Sequence, residues 1–112
     1  MQISSITDAL NYNDLKPNVS VLLETENTKE IRILMKAGQL MKEHQTPFPI
    51  VVEIFEGSIE FGVNGKALKL NRGDLLSLEG AVPHNVLCTS DSIIRLSLSK
   101  KDQVERVRKV ID

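Results

Sequence analysis

A chain of 112 residues, 41% hydrophobic and 26% charged, is too apolar for disorder and has the size of one domain. Its net charge of −1 gives no basic face to meet a phosphate backbone, which argues against a nucleic-acid partner. Its apolar runs stop at three residues, far short of the roughly 20 that a membrane-spanning helix needs.

Met1 to Asp8 lacks the basic start and apolar stretch of a secretory leader, and Cys88 has no second cysteine to pair with. Both features point to the cytoplasm. Ile3 to Leu10 reads as a short strand or turn. Val19 to Glu26 is a strand with Val19, Val21 and Leu23 on one face, and Asn27-Thr28-Lys29 is its hairpin loop. Glu30 to Lys36 returns with Ile31, Ile33 and Met35 on one face. Pro47 and Pro49 exclude a central strand through the loop after His44, because proline lacks the ladder donor.

Ile50 to Phe55 is the next strand, and Gly57 breaks it. Ile59, Phe61 and Val63 alternate with Glu60 and Gly62, then Asn64-Gly65 leads into Leu68 and Leu70. Alternating runs joined by Asn-Gly predict a hairpin with a type I′ turn. Asn71 to Asp74 is a turn. Leu75 to Leu78, Val82 to Cys88 and Ile93 to Leu98 are further strands, with breaks at Glu79-Gly80 and Thr89 to Asp91. From Lys101 onward Val104, Val107, Val110 and Ile111 recur at helical spacing. Ser99 is the expected cap of this short helix, and Asp102/Arg106 and Glu105/Lys109 are supporting i,i+4 pairs. About eight short strands at such intervals predict a sandwich or barrel.

The chain has two histidines, and each sits in a glycine-marked block. The first runs from Gly38 through His44, Thr46, Pro49 and Glu53 to Gly57. The second runs from Gly73-Asp74 to Val82-Pro83-His84. Glycine, five residues, histidine and a closing glycine, followed by Gly-Asp and Val-Pro-His, resemble the two paired motifs of the cupin superfamily. Glu56-Gly57 to Gly65 resembles the hairpin between those motifs. The likeness covers residues 30 to 98.

The resemblance implies an all-β, double-stranded β-helix (a jelly-roll barrel), here with the short C-terminal α-helix. The expected organisation is one domain over residues 1–112. N-terminal strands occupy 1–37, the barrel core 38–98 and the helix 99–112. The resemblance also implies that His44 and His84 face each other as metal ligands. Cupin metal sites use three histidines and a carboxylate. Thr46 stands at the second histidine and Pro49 near the carboxylate, so half of the set is left.

Other side chains are candidates for holding a ligand. Counted from Pro49, residues 51, 53 and 55 share a face. That count offers Glu53 to the lumen as an acid/base or hydrogen-bond acceptor; on a bent strand it faces solvent instead. Gln45, Glu43 and Thr46 flank His44 and are ligand contacts or ordinary loop polarity. Arg95, like Arg32, is a charge within a strand pattern. Each reaches solvent, pairs with a carboxylate such as Glu53, or holds an anion. Cys88 shares the parity of His84 and is an inert core thiol or a thiolate. Met35 and Met41 are core filler.

Two functions follow. In the first, the barrel binds a small molecule in its lumen, such as an anionic or sugar-like metabolite, with no metal or a weak incomplete metal site. In the alternative, it is a metal-dependent cupin enzyme of dioxygenase, isomerase or decarboxylase type, with a divalent transition metal on His44 and His84. A homodimer that covers exposed sheet edges is expected in either case.

Overall fold

The structure, a computed structural model, describes residues 1–101 and 110. Seven strands follow in chain order: β1 (Asn18–Glu24), β2 (Thr28–Met35), β3 (Leu40–His44), β4 (Ile50–Val63), β5 (Lys66–Asn71), β6 (Leu75–Leu78) and β7 (His84–Ser99). All pairings are antiparallel, in the order β1-β2-β7-β4-β5, with β3 added to β7 and β6 to β4. No helix among the described residues is long and apolar enough to cross a membrane.

The two long strands explain the shape. β4 and β7 pair along most of their lengths, from Val51↔Ser97 to Val63↔His84. Halfway along, the register slips at Glu56 and Ser58, the mark of β-bulges that bend a strand. Gly57 makes the bend with φ of +91°. A Cβ there would collide with Ser92 and with the carbonyl of Asp91. The bulges also reset the alternation. Ile50, Val52 and Ile54 turn inward before the bend and Ile59 and Phe61 after it. Gly57 therefore bends one continuous strand and does not end it. In the same way β7 runs unbroken through Thr89 to Asp91, where breaks were expected.

Sequence patterns account for the turns. Asn64 and Gly65 have φ of +53° and +74°, both positive as a type I′ turn requires, and Val63 pairs with Lys66 across it. The first hairpin loop lies earlier than its composition suggested, at 25–27. The Thr25 hydroxyl oxygen accepts the amide of Thr28 at 2.9 Å and brings Thr28 and Lys29 into β2. β3 was not anticipated. It is five residues long, and of these only Met41 is buried, so it shows no alternation to read.

The N-terminal residues form turns, not a strand. They lie against the side of β2 that faces away from the lumen. There the buried Arg32 donates to the carbonyls of Ile6, Asp8 and Ala9 at 3.1, 2.6 and 3.2 Å. Gln2 donates to and accepts from the backbone of Glu24 on edge strand β1. Of the predicted C-terminal helix, Ser99 instead ends β7, Lys100 and Lys101 form a turn, and Val110 is buried in the core. The remainder lies outside the described residues.

Candidate functional site

The inward faces of the strands enclose a cavity of about 40 Å³. Its walls are aliphatic apart from Phe61, His44, His84, Thr46 and the thioether of Met41. The histidines come from two adjacent strands. β3 ends at His44, β7 begins at His84, and the two residues are register partners. Residues opposite each other on one face of a sheet are in side-chain contact. Their ring centroids are 4.2 Å apart at an interplanar angle of 60°. Phe61 stacks on the other side of His84, with centroids 5.3 Å apart and planes 13° from parallel. His84 is thus buried between an aromatic ring and the second imidazole.

The backbone sets the tautomer of both rings. Nδ1 of His44 lies 2.8 Å from the carbonyl of Lys42, and Nδ1 of His84 lies 2.9 Å from the carbonyl of Val82. A carbonyl only accepts, so each Nδ1 carries the proton and each Nε2 is left with its lone pair. Burial holds the His44 pKa below the usual 6.5, the bond to Lys42 opposes this, and the charge of a protonated His84 lowers it further. At neutral pH, His44 is an uncharged acceptor.

Thr46, buried at the same end, contributes less than its position suggests. Its hydroxyl donates to the carbonyl of Phe48 at 2.7 Å and accepts the Phe48 amide at 3.3 Å, so it is committed to its own loop. The loop over 45–49 is locked to the loop over 79–83. The amide of Ala81 donates to the carbonyl of Thr46 at 2.6 Å, and Gly80 packs so closely on the Pro47 carbonyl that a Cβ would not fit. Gln45 is exposed and is not part of the cavity wall.

Two of the expected lumen contacts lie elsewhere. Ile50, Val52 and Ile54 are buried while Val51 and Glu53 are only half-buried, so before the bend the inward face of β4 is the even-numbered one. Counting from Pro49 chose the wrong face. Glu53 and Arg95 instead pair on the outer side at 2.7 Å, and Arg95 also binds Glu30 and Ser97. This is the carboxylate pairing among the three outcomes expected for Arg95. Cys88 is a buried core thiol that donates to the carbonyls of Met35 and Ser90, and burial raises its pKa. Sequence reasoning passed over Phe61. A conspicuous aromatic in an inward register opposite the strand of His84 was the available signal.

These residues meet only part of what a metal requires. The tautomers suit one, since both Nε2 atoms are ready to ligate. The donor count does not. No three His, Cys, Asp or Glu side chains converge among the described residues, Thr46 is committed to Phe48, and Pro49 has no ligating side chain. Catalytic zinc takes three protein ligands, and two imidazoles with no carboxylate do not make that set.

No protein-family model and no curated protein matches the chain. Solved structures do. An RmlC-like cupin from Desulfovibrio desulfuricans superposes with a TM-score of 0.80 at 24% identity, over 88% of this chain and 96% of that one. A conserved protein with a double-stranded β-helix domain from Klebsiella pneumoniae gives 0.76 at 22%, over 88% and 89%. An RmlC-like cupin from Shewanella frigidimarina gives 0.74 at 19%, over 88% and 91%. With the antiparallel barrel and the facing histidines described above, these likenesses identify the chain as a small protein of the cupin fold, the double-stranded β-helix.

Proposed function

We propose that the barrel binds a small molecule in its lumen without a resident metal, using Nε2 of His44 and of His84 as its polar contacts. One observation carries this reading. Two imidazoles with their Nδ1 protons fixed on the backbone stand side by side in a cavity whose other polar side chain, Thr46, is engaged with Phe48. Neither Nε2 has a partner among the described residues, and both rings line the same cavity, so the pair suits an incoming donor.

The test starts from protein purified without a metal-affinity tag and dialysed against iron, manganese, zinc and nickel. Elemental analysis is expected to find metal at background. Stoichiometric metal that disappears in the His44→Ala, His84→Ala double variant would overturn the metal-free reading. On the same protein, a fragment screen followed by NMR is expected to yield compounds that shift the ring signals of His44 and His84 together with the methyls of Ile50 and Val52. A screen in which no compound moves these signals sinks the lumen reading.

A further inference from the structure

Resting on that reading, we infer the chemical class of the ligand. The part that enters the lumen is compact and uncharged, donates a hydrogen bond through O–H or N–H and is otherwise apolar. The wall disfavours an anion, a sugar or an ammonium group inside the lumen.

Charge comes first. The cavity wall contains no lysine, arginine, aspartate or glutamate. Arg95 and Glu53 lie on the outer side and are matched to each other. Arg32, also outside, is held by the N-terminal carbonyls. An ion entering the lumen would lose its hydration and find no opposite charge.

Hydrogen-bonding capacity comes next. Three polar side chains line the cavity: His44, Thr46 and His84. The Thr46 hydroxyl is engaged with Phe48 and both Nδ1 protons with backbone carbonyls. What remains is two Nε2 acceptors and no side-chain donor. A ligand must therefore bring the proton. A group that only accepts gains no hydrogen bond, and a sugar would bury several hydroxyls beyond the two acceptors available.

Size bounds the molecule. A cavity that admits benzene measures about 150 Å³, and this one measures about 40 Å³. Only a few non-hydrogen atoms enter it as it stands. A fragment of that size binds in about the millimolar range at best, so the full ligand extends past the histidine end or displaces the loops there.

Four probes of nearly equal size separate the properties: ethanol (neutral donor), acetonitrile (neutral acceptor), acetate (anion) and ethylammonium (cation). Each is titrated at pH 7.5 into the full chain while the histidine ring and Ile50 and Val52 methyl signals are followed by NMR. Ethanol is expected to saturate these shifts, with the other three at least tenfold weaker. Acetate, ethylammonium or acetonitrile binding as well as ethanol would overturn the assigned class and leave the lumen reading standing. Failure of all four to move the lumen methyls would overturn both. Zinc alone saturating the ring signals at micromolar concentration would also overturn both, in favour of the metal site.

Discussion

His44 and His84 each bond to a carbonyl two residues back along the chain, Lys42 and Val82. This small local motif decides what the pair can do, because it turns two amphoteric rings into two acceptors. Burial of the His44 ring adds a pH dependence. The folded-state pKa of His44 is lowered, chiefly by burial, so the unfolded chain binds more protons and stability rises with pH. The contribution is complete above the unfolded value of about 6.5 and is lost as pH falls through the lower folded value. Melting temperature is therefore expected to be level above pH 7 and to fall as the pH is lowered below 6.5. His44→Gln, which has no titrating group, should flatten part of that fall. An unchanged profile in the variant would show that other groups control it. Both histidines were legible as a pair from their flanking motifs. The hydrogen bonds that fix their tautomers were not, because they depend on the path of the backbone at the ends of β3 and β7.

Among the strands, the errors of sequence reading share a cause. Gly57 looked like a terminator because glycine usually is one. Here it is a bend inside a paired strand, and only the neighbouring β7 shows why. Counting from a motif position leaves Glu53 open between lumen and solvent, although the apolar alternation of Ile50, Val52 and Ile54 already marks the opposite face as the inward one. The turn at Asn64-Gly65 was read correctly because its chemistry is wholly local. Two glycines separate local from tertiary demands. Gly38 and Gly57 have φ of +92° and +91°, but a Cβ at Gly38 meets open space while one at Gly57 meets Asp91 and Ser92. Gly38→Ala should cost about 1 kcal/mol, the penalty of the left-handed backbone alone. Gly57→Ala should cost about 3 kcal/mol or more, because the bulge must also shift. Urea unfolding of the two variants measures the difference, and equal losses would refute a packing role for Gly57.

At the scale of the whole molecule, the N-terminal segment is fastened to the barrel by the buried Arg32 guanidinium and by bonds of Gln2 to Glu24, Asn13 to Gln39 and Asp14 to Lys36. Arg32 sits opposite Arg95 in the register of β2 and β7, and the two charges are managed differently. Arg95 has Glu30 and Glu53. Arg32 has three backbone carbonyls, and its Nε is buried without a partner. Arg32→Met removes those donors and should cost about 2 kcal/mol. Hydrogen exchange should show residues 1–17 losing protection while the barrel amides keep theirs. Simultaneous loss across both would mean that the segment is not a separate unit. β1, β3, β5 and β6 each pair with one strand only, and exposed edges invite pairing. We propose the homodimer on this ground. Light scattering should then give twice the chain mass of 12.5 kDa, and a monomer at micromolar concentration would contradict it.

β7 pairs with β2, β3 and β4, and it follows all three in the chain. During synthesis its partners therefore leave the ribosome first and wait with apolar edges uncovered until residues 84–99 arrive. Few of the pairings that close the barrel are local, so folding should be slow for a chain of this length. The interval before β7 emerges is when the nascent protein is most prone to aggregate.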